Sequence, residues 1–176
     1  NSYTFNKQED KILIATNKES IFRRSFSADF YVFDLKKQEL AKLTDKKIQE
    51  PLFSPQGDKV AYVYKNNIYI YDTQSKKEQQ VTFDGEKNKI INGTSDWVYE
   101  EEFAIVRTFD WNADGTQLAY IRFDEHEVPE FSMDIYGTTL YPTKDTFKYP
   151  KAGEKNSVVS LYLYDVKAGK ATQIPL

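Results

Sequence analysis

Apolar and polar residues alternate in short runs along most of this chain, and the runs recur. Tyr3–Thr16 (YTFNKQEDKILIAT), Pro51–Tyr64 (PLFSPQGDKVAYVY) and Thr108–Arg122 (TFDWNADGTQLAYIR) each set an aromatic (Phe5, Phe53, Trp111) before a polar turn and an alternating apolar strand. Pro55, Gly57, Asp114 and Gly115 suit the tight reversal that joins antiparallel strands. A second block follows in each unit: Asp29–Thr44, Asn67–Phe83 and Ser160–Leu176. In each of these a strand ends on an aspartate (Asp34, Asp72, Asp165), passes a polar turn and resumes. Period-two alternation with polar residues outward marks half-buried strands.

Each unit therefore supplies four short antiparallel strands, the content of one β-propeller blade. The expected fold class is all-β, a partial propeller of about three blades, with units near residues 3–44, 48–83 and 108–176. From Phe53 to Asp72 is 19 positions and from Trp111 to Asp165 is 54, so the third unit carries an insertion of roughly 35, about residues 124–156. The first unit carries a shorter one around residues 17–26, and residues 84–107 form a long segment between units two and three. Three blades do not close a ring. The chain also opens on NSYTFNKQED without an initiator Met, so an excised segment of a longer polypeptide is expected.

Composition narrows the chemistry. Aromatics are 15% of residues, which favours strands, and the net charge of −3 suggests neither a nucleic-acid surface nor a polybasic membrane patch. The absence of cysteine removes disulfides, thiol catalysis and thiolate metal sites. Spacing among the seven glycines excludes a G-x-S-x-G elbow, a P-loop and G-x-G-x-x-G, so no nucleophile elbow is expected in this chain and no cofactor is called for. The sole histidine, His126, reads as a surface residue. Asp110-Trp-Asn112-Ala-Asp114-Gly115 mimics half an EF-hand loop, but its twelfth position is Ile121, so it reads as a hairpin turn and no metal is expected. The sequon Asn92-Gly93-Thr94 reads as a plain turn.

One stretch does not fit a bland surface. In TSDWVYEEEF (Thr94–Phe103) three glutamates lie among residues that favour burial. Asp96 suits the N-cap of a short helix near residues 96–103, which puts Glu100, Glu101 and Glu102 at the end where the helix dipole prefers cations. Neighbouring carboxylates also repel. Two readings stand: a solvated acidic turn, or a site for an ammonium group. SIFRRSF in the first insertion offers Arg23 and Arg24, surface charges if taken alone and one wall of a polar pocket if taken with the glutamates.

DWVYEEEF, FDEHEVP and YPKAG, in the setting INGTSDWVYEEEF, LAYIRFDEHEVPEFSMDIYG and YPTKDTFKYPKAGEKNSVVSLYLYDV, closely resemble the N-terminal propeller of the dipeptidyl peptidase IV family, from Tyr3 to about Val166. That resemblance implies an eight-bladed propeller capping a C-terminal α/β-hydrolase domain of the same polypeptide, which holds the catalytic serine triad. It implies a serine exopeptidase that releases X-Pro or X-Ala dipeptides from peptides with a free N-terminus. By the match, Glu101 and Glu102 bind the substrate's N-terminal ammonium and Glu100 is not a direct ligand. Arg23 helps hold the substrate's backbone carbonyl and the glutamates, with Arg24 one position off. Full-length members are usually homodimers with contacts from the hydrolase domain and a propeller extension, and they work outside the cytoplasm (periplasmic, secreted or membrane-anchored). The alternatives are the propeller of a prolyl tripeptidyl peptidase, or a non-enzymatic binding propeller that docks a basic partner. An oligopeptidase whose propeller only filters substrate size has no need of the glutamate pair.

Overall fold

The computed structural model describes residues 2–175; Asn1 and Leu176, the last residue of the third repeat block, lie outside the described residues. The first sheet is a four-stranded antiparallel meander of β1 (Ser2–Phe5), β2 (Lys11–Ser20), β3 (Phe26–Asp34) and β4 (Glu39–Lys42). The second repeats that order with β5 (Gln49–Phe53), β6 (Lys59–Tyr64), β7 (Asn67–Asp72) and β8 (Glu78–Gln80). After it come β9 (Ile90–Asn92) and the only helix among the described residues, α1 (Trp97–Phe103). The third sheet joins β10 (Phe109–Trp111), β11 (Gln117–Asp124), β14 (Val158–Asp165) and β15 (Lys170–Ile174). Between β11 and β14 a separate hairpin projects, made of β12 (Glu130–Ile135) and β13 (Thr143–Lys148). The chain is thus all-β with one short helix, a partial propeller.

The recurring aspartates explain themselves once the strands are paired. Asp34 Oδ1 accepts from the N–H groups of Lys36 and Lys37, Asp72 Oδ1 from those of Gln74 and Ser75, and Asp165 Oδ1 from that of Ala168. Each carboxylate closes the turn between the third and fourth strands of its sheet, as an Asx turn does.

Sheets stack face to face. Leu13, Ala15, Ala28 and Phe30 of the first meet Phe53, Val60 and Tyr62 of the second. The other face of the second, Ala61, Val63, Ile68 and Ile70, meets Phe109, Leu118, Tyr120 and Tyr164 of the third. β6 is therefore apolar on both sides, and its run KVAYVY departs from the half-buried pattern with polar residues outward. Cross-strand tyrosines brace the second and third sheets: Tyr62 stacks on Tyr69 with ring centres 5.8 Å apart, and Tyr120 on Tyr162 at 5.3 Å.

Three details depart from the sequence reading. Asn92 does not sit in a plain turn: it ends β9, fully buried, with its amide donated to Asn66 O (3.2 Å) and Asp84 Oδ1 (2.9 Å). The segment before the helix is also not merely a connection, because β9 pairs with the far end of β11 and gives the third sheet a fifth strand. The reversal comes at Gly93, whose φ of +82° and 2.8 Å approach of Ile68 to an added Cβ both demand glycine. Finally, Tyr3 and Phe5 are 70% and 45% exposed, so these two aromatics do not pack in the core as the repeat suggests.

Candidate functional site

The helix forms where the sequence places it. Asp96, with extended backbone (ψ 177°), accepts the Tyr99 N–H at 3.0 Å and satisfies one orphan donor of the first turn. Its other carboxylate oxygen accepts the Ser157 hydroxyl, which ties the helix start to the beginning of β14. At the other end Ala104 adopts left-handed φ, +56°, and its N–H bonds Glu100 O at 3.1 Å, while Ile105 N–H bonds Tyr99 O at 3.2 Å. A non-glycine residue pays steric strain there. No lysine or arginine of the helix itself answers its negative end.

The answering charges come from the tip between β2 and β3. Arg23 Nε lies 3.1 Å from Glu101 Oε2, with the glutamate side chain only 15% exposed. Arg24 donates its Nη1 to Glu100 O at 3.0 Å. Glu100 is 1% exposed, and its Oε1 accepts the N–H groups of Arg24 (2.6 Å) and Ser25 (2.9 Å). The three glutamates thus differ sharply. Glu100 pins the hairpin tip to the helix, Glu101 pairs with Arg23, and Glu102 is exposed with no ion pair among the described residues.

Of the residues singled out from sequence, Arg23 and Glu101 meet, and of the two arginines it is Arg23 that faces Glu101; Glu102 follows on the same helix without a partner among the described residues. Two acidic residues, Glu50 and Glu125, are given no role from sequence. Glu50, at a bulge in the pairing of β5 with β6, faces Arg107 at 3.6 Å; burial, partly offset by Arg107 and reinforced by Glu100, raises its carboxyl above the usual range. Glu125, in the FDEHEVP motif, is 5% exposed, and burial together with the charge of Asp96 pushes its carboxyl up to about 7. Burial of an isolated carboxylate is set by distant parts of the fold, so neither residue carries a local signal. His126 is a surface residue whose Nδ1 lies 2.7 Å from Asp124 Oδ1. Asp114 of the EF-hand-like run closes its own hairpin by accepting the Thr116 N–H at 3.0 Å, and no cluster of three or more metal-binding side chains occurs among the described residues.

Set against known proteins, residues 6–176 match the family model described as the dipeptidyl peptidase IV (DPP IV) N-terminal region. Human prolyl endopeptidase FAP is 35% identical over 167 residues, covering 93% of this chain and 22% of that protein. Dipeptidyl peptidase 4 of Felis catus is 36% identical over 170 residues, again 93% of this chain and 22% of the relative. The crystal structure of Porphyromonas gingivalis dipeptidyl peptidase 4 superposes with a TM-score of 0.95 at 44% identity, over 99% of this chain and 25% of that one. The chain spans about a fifth of the length of the curated relatives it matches.

Proposed function

This chain belongs to the dipeptidyl peptidase IV family, through its N-terminal propeller region, and from that premise we propose that it anchors the free N-terminus of a peptide substrate. The observation that carries the reading is a charge count. Arg23 and Arg24 bring two positive charges to three negative ones on Glu100, Glu101 and Glu102, and Glu102 is left without a cation among the described residues. Arg24 already answers the negative end of the helix by donating to Glu100 O, so its charge is engaged there. A substrate ammonium has the single charge and three donors that this arrangement lacks.

The rest of the reading concerns the parent protein. It is a serine exopeptidase that releases X-Pro or X-Ala dipeptides, and an α/β-hydrolase domain of the same polypeptide performs the hydrolysis. The anchor fixes the N-terminus, and the distance from there to the nucleophile counts out the residues removed. The same reading takes the parent protein as a homodimer that works outside the cytoplasm, as the resemblance implies. The relatives include both a protein named as an endopeptidase and proteins named as dipeptidyl peptidases, so the free amine is the deciding feature.

The test compares kcat/KM of the full-length protein on a Gly-Pro anilide and on its N-acetylated counterpart, with and without Glu101→Ala/Glu102→Ala. The free amine should be preferred by roughly 30-fold, about 2 kcal/mol, and the double variant should abolish the preference. Equal activity on both substrates would make these glutamates structural. A tripeptidyl peptidase would keep the amine preference but release a longer product.

A further inference from the structure

Behind the anchor helix lies a recess that peptide anchoring leaves unused. A cavity of about 590 Å3 opens between the β2–β3 tip, the Gly85–Asn88 loop and β13, a size suited to a small ligand. Glu100 borders it, but Glu101, Glu102 and Arg23 do not. Aromatic rings form much of its wall: Phe22, Trp97 and Phe147 line it, with Phe147 at 6.1 Å from Phe22 and 6.3 Å from Trp97 between ring centres.

Two buried carboxylates reach this wall, Glu100, already bonded to the Arg24 and Ser25 N–H groups, and Glu125. Glu125 lines the cavity, and its main chain is fully engaged, the N–H with Lys89 O at 2.7 Å and the carbonyl with Val128 N–H at 3.0 Å. Its carboxylate has no hydrogen bond or ion pair among the described residues, although the residue is 95% buried (5% exposed). Lys148 is the cation that acts on it, yet the Lys148 Nζ donates to Val128 O at 2.8 Å and leans toward Glu130 at 3.9 Å. Asp96 and Asp124 add negative charge nearby. Lys65 and Lys87, also at the cavity, are exposed, and water screens their charges. Burial and the Asp96 charge favour the protonated form of Glu125, and a cation with donors beside it would favour the ionised form, so binding should strengthen as pH rises through about 7.

We propose that this cavity binds an organic cation with an apolar body, an arylalkylammonium or guanidinium, its charged head on Glu125 and its body among Phe22, Trp97 and Phe147. The head supplies the donors that Glu125 lacks, and the ring faces attract the same charge. A neutral or anionic ligand of equal size gains neither. The inference stands apart from the peptide anchor because Glu101, Glu102 and Arg23 do not line the cavity, although both sites draw on the β2–β3 tip and on α1.

Benzylammonium is a suitable probe, titrated calorimetrically into the full-length protein, with benzyl alcohol as its neutral counterpart. Binding should survive Glu101→Gln/Glu102→Gln, weaken at least tenfold in Glu125→Gln, and exceed that of benzyl alcohol at least tenfold. Phe147→Leu, which keeps the carboxylate and trims the wall, should weaken it too, and covers the case in which Glu125→Gln lowers the melting temperature. Binding that is indifferent to Glu125→Gln, or no binding at all, overturns the proposal. Loss in the Glu101/Glu102 double variant alone overturns it as well, while leaving the peptide anchor intact. Conversely, benzylammonium binding that persists in a protein indifferent to substrate acetylation supports this site and sinks only the anchor.

Discussion

Glu100 and Glu101 are neighbours in sequence, yet burial separates them: one is sealed against two main-chain N–H groups, the other opens toward the arginine tip. Removing the sealed carboxylate leaves the Arg24 and Ser25 donors buried without a partner, which costs about 1–3 kcal/mol. Glu100→Ala should therefore lower stability by that amount and also shrink the preference for a free amine, since the tip carrying Arg23 loses its hold. Glu100→Gln keeps an acceptor oxygen and should restore most of both. Thermal melts alongside the acetylated and free anilides check this; an unchanged preference in a destabilised Glu100→Ala protein would limit Glu100 to stability. The glutamate triplet and the paired arginines were conspicuous in the sequence because charges sat among aromatics. The division of roles was not, because which carboxylate faces inward depends on a hairpin 76 residues away. Glu50 and Glu125 were invisible for the same reason.

At the scale of elements, the alternating strands and the capped helix were legible because their signals are local: period-two apolarity, turn residues, and Asp96 ahead of an aromatic run. β9 was not, since three residues pairing with a strand 30 positions further on (Asn92 with Arg122) leave no periodicity to read. Asn92 looked like a turn for want of that pairing. The helix also ends on a feature that offers a clean test. Ala104 holds φ at +56°, a region where an L side chain costs roughly 1–2 kcal/mol. Ala104→Gly should raise stability by about 1 kcal/mol, after the extra freedom glycine gains when unfolded is subtracted. A higher melting temperature with unchanged amine preference is expected; a lower one would mean the alanine methyl makes a contact that outweighs the strain.

For the whole molecule, the projecting hairpin β12–β13 and the turn between its strands carry the largest apolar exposure. Leu140 is 90% exposed, Tyr136 80% and Tyr141 78%, with Phe131, Met133 and Ile135 also open to solvent. Such a concentration on one arm is uncommon for a surface that stays solvated, and it suits the contact of the homodimer proposed above. In the full-length protein a Leu140→Asp/Tyr141→Ser variant should therefore shift the mass seen by light scattering from dimer toward monomer. An unaltered dimer would move the contact elsewhere.

The bond between the Arg24 N–H and Glu100 has a consequence for how the protein is made. Its two ends lie 76 residues apart, so during synthesis at about 5–20 residues per second the tip emerges roughly 4–15 seconds before the helix that receives it. Until then its two N–H groups and paired arginines have only water as acceptor, and the contact with Glu100 does not exist in any partial form. Under the proposed function, affinity for a peptide end would arise only after the second sheet is complete and the helix has closed over the tip. On that reading a nascent chain would capture neither a substrate nor its own freshly made N-terminus before that moment.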